Sequence, residues 1–250
     1  MPLLNRIKRN SGSTIYQNVV VKCGPHELIN KQAELMQAAP LCHVPVLFKG
    51  EGFYVMPEAQ DLPSDCSWEI PSAINLLKNM WRVYSGFTST SHLRNPLQRQ
   101  AYYNKIRLRA IEDAVPERLV RELHHWSDKI MRPNSVQWGA FVHGDATLEN
   151  ILVLKHGSTR DVRLIDTSPS PIPPEPEVDI GKLLQSYYGY EDRFTSSTID
   201  ALEQQLHLLG VSDLSKFYFI THLIRLWKYQ PQRQDWVMEI IKDGDYYKDF

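Results

Sequence analysis

The sequence predicts an α+β chain: a short strand-rich stretch with one helix, then a longer, mainly helical stretch. Three observations carry this reading. β-Branched and aromatic segments crowd the residues before Pro57. Beyond Pro57, apolar residues recur at helical spacing. A polar loop between two apolar runs, Phe141 to Val153, interrupts the helices with a strand pair.

Thr14 to Val21 is rich in β-branched residues and reads as one strand ending at Lys22. Gly24-Pro25 breaks it. From His26 to Ala39, Leu28, Ile29, Leu35 and Met36 fall near helical spacing, and Pro40 stops the run. Val44 to Phe48 and Phe53 to Met56 form a second strand pair around a turn at residues 49–52, ended by Pro57. Helices are expected over Ser72–Tyr84, Leu97–Ala114 and Pro116–Met131. The last has Pro at its first position and Leu119, Val120, Leu123, Trp126 and Ile130 on one stripe. Strands at Ile151–Val153 and Val162–Ile165 follow. Further helices are expected near Ile180–Tyr188, Ser196–Leu209, Asp213–Tyr229 and Gln234–Lys242. Ser168 to Pro176 holds five prolines and reads as a stiff connector.

With 250 residues, 42% of them hydrophobic, the chain can build one large domain or two small lobes. A net charge of -1 argues against bulk electrostatic binding to nucleic acid or to a membrane. Cys23, Cys42 and Cys66 lack Cys-x-x-Cys spacing, which fits free thiols in a reducing cytoplasm. Met1 to Asn10 has basic residues but no apolar run of the secretory kind. No apolar stretch approaches the roughly 18 residues of a membrane span.

The loop at 143–150 carries the chemistry. His143-Gly144-Asp145 is followed by four residues and then Asn150. This is the spacing at which kinase-type phosphoryl transfer places an Asp to take the acceptor's hydroxyl proton and an Asn to hold magnesium. Val162-Arg163-Leu164-Ile165 ends on Asp166, a second carboxylate at a strand end. Magnesium takes few protein ligands and prefers oxygen, so Asn150 and Asp166 suit it. Each residue alone also suits a turn or cap. His143 reads as a hydrogen-bonded loop anchor. His124 and His125 are adjacent, so their side chains diverge and zinc is disfavoured.

His143-Gly144-Asp145-x-x-x-x-Asn150 with Leu164-Ile165-Asp166 resembles the aminoglycoside phosphotransferase and choline kinase group, small-molecule kinases with a protein-kinase-like fold. Asp179-Ile-Gly-Lys-Leu-Leu-Gln-Ser186 resembles the same group, and the likeness runs from about Val19 to Ser186. It implies a two-lobed fold, a sheet lobe with one helix over residues 1–57 and a helical lobe over 58–250. It implies ATP and Mg²⁺, a small-molecule hydroxyl acceptor, and Asp145 as catalytic base. Lys22, closing Val19-Val20-Val21, matches the lysine that pairs with the ATP phosphates. Tyr54, Val55 and Met56 fall at the lobe hinge, against adenine. Gly12 and Ser13 belong to the only available phosphate-covering loop, which could equally be a plain hairpin turn. Asp179 is expected to cap a helix and buttress the site.

Two departures stand out. Gln32 falls where the group has the lysine's Glu partner, leaving Gln32, Glu34 or Glu27 for that place. No Gly-x-Gly-x-x-Gly precedes Lys22. These keep open a nucleotide-binding module without catalysis; a protein kinase is disfavoured by Ile165-Asp166-Thr167. A cationic acceptor would need acidic walls, for which Glu191, Asp192, Asp243, Asp245 and Asp249 are available.

Overall fold

A computed structural model of the chain describes residues 7–8, 13–16, 19–83, 93–94, 96–130, 137–138, 140–156, 159–169, 173–190 and 193–243. Strands β1 (Ile7–Lys8), β2 (Ser13–Tyr16), β3 (Val19–Cys23), β4 (Phe48–Gly50) and β5 (Phe53–Pro57) form an antiparallel sheet in the order β1-β2-β3-β5-β4. Helix α1 (His26–Ala38) lies between β3 and β4 in sequence. Its Ile29, Ala33 and Met36 share one face. They meet Val20, Tyr54 and Met56 in a compact apolar cluster.

Two expectations fail here. The single strand at 14–21 is a hairpin, with Tyr16 paired to Val19 and Ser13 to Lys22. β-Branched composition reports strand character but is blind to a reversal within the run. The expected strand at 44–48 shrinks to β4, beginning at Phe48. Pro45 has no N–H to offer a ladder, and Val44 instead donates its N–H to Leu164 O at 3.0 Å. The turn between β4 and β5 narrows to Glu51-Gly52, with Gly52 at φ 71°, a left-handed geometry that glycine adopts freely.

The chain continues through β6 (Gln60–Asp61), α2 (Glu69–Val83), β7 (Leu93–Arg94), α3 (Pro96–Glu112), α4 (Glu117–Ile130) and β8 (Gln137–Trp138). Then come β9 (Ile151–His156), β10 (Thr159–Leu164), α5 (Pro176–Gln185), α6 (Ser196–Leu209), α7 (Asp213–Tyr229) and α8 (Gln234–Asp243). The expected helices are present, with moved ends. α2 starts three residues earlier than Ser72, since Pro71 in a first turn forfeits no helical bond. α5 starts at Pro176 rather than near Ile180, so the proline-rich connector ends at Glu175.

β10, β9 and β6 form a second antiparallel sheet. β9 divides the two apolar clusters of the molecule. Ile151 and Val153 join the large cluster built on α2, α4, α5 and α7. Leu152 and Leu154, pointing the other way, join the small one under β3, β5 and α1. A strand buried on both faces is a rigid platform, and Asn150 sits at its start. Inside the large cluster α5 and α7 approach closely at Gly181, where a Cβ would lie 2.8 Å from Phe219 N.

Cys23, Cys42 and Cys66 are free. No described helix is long and apolar enough to cross a membrane.

Candidate active site

The β9–β10 hairpin brings the two motif segments together. Ile151 pairs with Leu164, so the residues just outside the ladder, Asn150 and Ile165, are neighbours. Ile165 N donates to Asn150 O at 3.0 Å, which puts Asp166 one residue beyond that bond. His143 ties the loop to the same strand end. Its Nε2 lies 2.7 Å from Ile165 O. A carbonyl only accepts, so Nε2 carries a proton, and Nδ1 lies 3.3 Å from Asp145 N. Ser168 N closes the lacing by donating to His143 O at 2.8 Å.

Asp179 fixes the loop from the other side. Its fully buried carboxylate accepts from His143 N at 2.9 Å, Gly144 N at 2.6 Å and Trp81 Nε1 at 2.8 Å. Burial raises its pKa, against the pull of His143, Trp81 and the two amides. Asp179 is therefore not the helix cap expected of it. α5 already begins at Pro176, with Glu175 at the cap position, and Asp179 lies inside the first turn. Gly144, at φ 77°, allows its amide to turn toward Asp179.

Asp145 opens on to solvent, its side chain 42% exposed. Oδ1 pairs with Lys182 Nζ at 3.0 Å. Asn150 Nδ2 donates to Asp145 O at 2.8 Å and to Oδ2 at 3.2 Å. Burial of the loop opposes ionisation, but the Lys182 ammonium, then His143 and Arg225, outweigh it and hold the carboxyl below its ordinary value. Because both bonds to Asp145 use Nδ2, the Asn150 amide is left with Oδ1 to offer.

Asp166 adopts φ 62°, sparsely populated for a residue with a side chain. It forms an ion pair with Lys22 Nζ. Tyr54 OH lies 3.3 Å from Asp166 Oδ1 and 3.2 Å from Gln32 Oε1, with one proton to share between the two acceptors. Gln32 Nε2 donates to Thr167 O at 3.2 Å. The partner question thus has an answer outside the three residues offered for it. Lys22 pairs with Asp166, Gln32 braces Tyr54 and Thr167, Glu34 pairs with Lys49 at 2.8 Å, and Glu27 is exposed.

Of the other expected binding residues, Tyr54 and Met56 point into the small apolar cluster and Val55 to the opposite face, as strand alternation requires. Ser13 opens β2 across from Lys22. Gly12 lies outside the described residues.

Lys182 and Arg225 escaped the sequence reading. Lys182 stands three residues after Asp179 on α5, so the two share the helix face toward the loop, a spacing that was there to be read. Arg225 comes from α7 and carries no local signal. With Asp145, Asn150, Arg109 and Tyr229 they line a cavity of about 450 Å³.

The same architecture occurs in known structures. Choline kinase LicA from Streptococcus pneumoniae superposes with a TM-score of 0.55 at 15% identity, over 98% of this chain and 89% of that one. The chain has the choline kinase-type fold. A choline/ethanolamine kinase family protein from Mesorhizobium loti gives a TM-score of 0.50 at 13% identity, over 99% of this chain and 86% of that one. No protein-family model and no curated sequence matches the chain.

Proposed function

We propose that the chain is a two-lobed, ATP- and magnesium-dependent phosphotransferase acting on a hydroxyl of a small molecule. One observation carries the reading: the β9–β10 hairpin, through Ile165 N to Asn150 O, joins Asn150 with its partner Asp145 to the segment of Asp166 with its partner Lys22. The shared fold supports it.

The residues suit the cofactors. Among the described residues no cluster of three or more His, Cys, Asp or Glu could hold a metal. Magnesium needs fewer protein donors, and the Asp166 carboxylate with the Asn150 amide oxygen supplies two hard ones. Magnesium bound there neutralises charge on the phosphates. Lys22, on β3, offers its ammonium to the same phosphates once these take over part of its pairing with Asp166.

Asp145 orients the acceptor hydroxyl. The acceptor oxygen bonds to the γ-phosphorus as the bond from that phosphorus to the bridging oxygen breaks, and the hydroxyl proton passes to Asp145. A carboxylate held ionised by Lys182 is a weak base, which fits a transition state in which the proton leaves late. Asp145→Asn keeps the shape and removes the charge. Its expected effect is a loss of turnover of about 10²- to 10⁴-fold with MgATP affinity kept. Full turnover in that variant would remove Asp145 from the mechanism.

A further inference from the structure

The acceptor side of the site has an unmatched positive charge. The cavity beside Asp145 is lined by three cations, Arg109, Lys182 and Arg225, and by two acids, Asp145 and Glu149. Two of the cations are already answered. Lys182 pairs with Asp145 at 3.0 Å, and Arg109 Nε pairs with Asp113 at 3.2 Å, its guanidinium lying 4.9 Å from the Tyr229 ring centre. Arg225 differs. Its Nη1 is shut off from solvent, and among the described residues it has no hydrogen-bond partner. Glu149, the remaining acid, is exposed. Arg225 as a whole is only half-buried and lines the cavity, so a guanidinium N–H without an acceptor there marks a place where an acceptor belongs.

The cavity shares only the catalytic loop with the nucleotide elements. Lys22, Tyr54 and Asp166 do not line it; Asp145, Thr147 and Asn150 of the loop and Leu226, Tyr229 and Gln230 at the end of α7 do. The unanswered charge thus lines the same cavity as Asp145. That is the wrong sign for a cationic acceptor. Four acids that sequence alone offered as walls for one, Glu191, Asp192, Asp245 and Asp249, lie outside the described residues, and so does the side chain of Asp243.

Resting on the kinase reading, we propose that this cavity takes a small alcohol bearing a carboxylate or phosphate, with Arg225 as the partner of that anion and Asp145 facing the hydroxyl. Guanidinium matches both anions through paired N–H donors. A volume of about 450 Å³ holds a compound of sugar-phosphate size. The anion would also complete the shell of Arg225, whose positive charge already helps keep Asp145 ionised.

The test measures ADP release by the full chain with MgATP and two sets of acceptors. Glycerate, glycerol phosphate and glucose phosphate form the anionic set; glycerol, glucose, choline and ethanolamine form the other. Turnover is expected with an anionic compound, at a kcat/KM above that of every compound in the second set. Arg225→Gln should raise the KM for that compound roughly 10- to 100-fold while leaving the KM for ATP unchanged. Arg225→Lys should recover part of the loss, and thermal melts should show both variants folded. Preference for choline, ethanolamine or a neutral alcohol overturns the inference and leaves the kinase reading standing. So does an Arg225→Gln effect confined to ATP, and so does the absence of turnover with the whole anionic set while MgATP still binds. Failure of MgATP to bind at all, by calorimetry, overturns the kinase reading itself.

Discussion

Around Asp145 the site is held by backbone, and around Asp166 by side chains. The loop amides of His143 and Gly144 end on the buried carboxylate of Asp179, and His143 bonds to Ile165 O. Asp166 instead meets Lys22 and Tyr54, with Gln32 bracing Tyr54 and the next peptide. Backbone bonds in the interior hold one geometry whatever binds nearby. A lysine–aspartate pair made only by two side chains can exchange partners when phosphates and magnesium arrive, although both are largely buried. On the phosphotransferase reading, the contrast corresponds to a fixed acceptor side and an adjustable nucleotide side.

The largest effect should come from breaking the fixed half. Asp179→Ala leaves two buried amides and the Trp81 N–H without their acceptor. A loss of about 3 kcal/mol or more of stability is expected from donors of this kind. Turnover should fall about 100-fold in the molecules that remain folded, because the loop loses its register. Chemical denaturation and turnover on one preparation check both parts, and unchanged turnover would show that Asp179 serves stability alone.

Lys22→Ala probes the adjustable half. The fold should survive, since the lysine lies one residue from the end of β3 and its ammonium meets a carboxylate rather than the apolar cluster. The KM for ATP should rise about tenfold, the value of one charged contact. A change in acceptor KM without a change for ATP would contradict the division between the two halves.

Gln32→Glu sharpens the same point. Resemblance to relatives makes Glu the expected residue, with Lys22 as its partner. Here the Gln32 amide donates to Thr167 O, and a carboxylate cannot. The variant should lose about 1 kcal/mol of stability and gain no ATP affinity. Tighter ATP binding would show that Lys22 turns toward position 32 after all.

A smaller effect is expected with pH. His222 is fully buried; burial first, then Lys182 and Arg225, hold its pKa well below 6.5. The unfolded chain therefore binds a proton below about pH 6.5 that the folded chain refuses. Stability should fall as pH drops from there, by about 1.4 kcal/mol per unit for such a group, and be unaffected by this residue above pH 6.5. His43, lowered to about 3 by burial and then by His143, acts in the same direction. Denaturation midpoints between pH 7 and pH 5, compared in wild type and His222→Gln, should show a shallower slope in the variant.

These residues also show what a sequence carries. The loop from His143 to Asn150 was legible because its function runs through local spacing and its own backbone. Lys22 was legible as the polar residue closing the apolar run Val19-Val20-Val21, one residue short of the strand's end at Cys23. The partner of Lys22 was not, since Asp166 comes from a distant segment brought near by hairpin pairing. Asp179 was read as a cap because the start of α5 was placed too late, at the end of a proline-rich run in which Pro176 is already helical. The strand at 14–21 was seen and its reversal missed, for propensity has no sense of direction. Arg225 had no local mark, and its meaning lies in a hydrogen bond that its Nη1 does not make among the described residues.

The central claim is that the two halves form one phosphotransfer centre, with Asp166 on the metal. Calorimetric titration of ATP, with and without magnesium, into wild type and Asp166→Asn tests it most directly. Magnesium should strengthen ATP binding to the wild type by about tenfold or more, and that gain should vanish in the variant. Equal binding with and without magnesium in the wild type, or an undiminished gain in Asp166→Asn, would contradict the account.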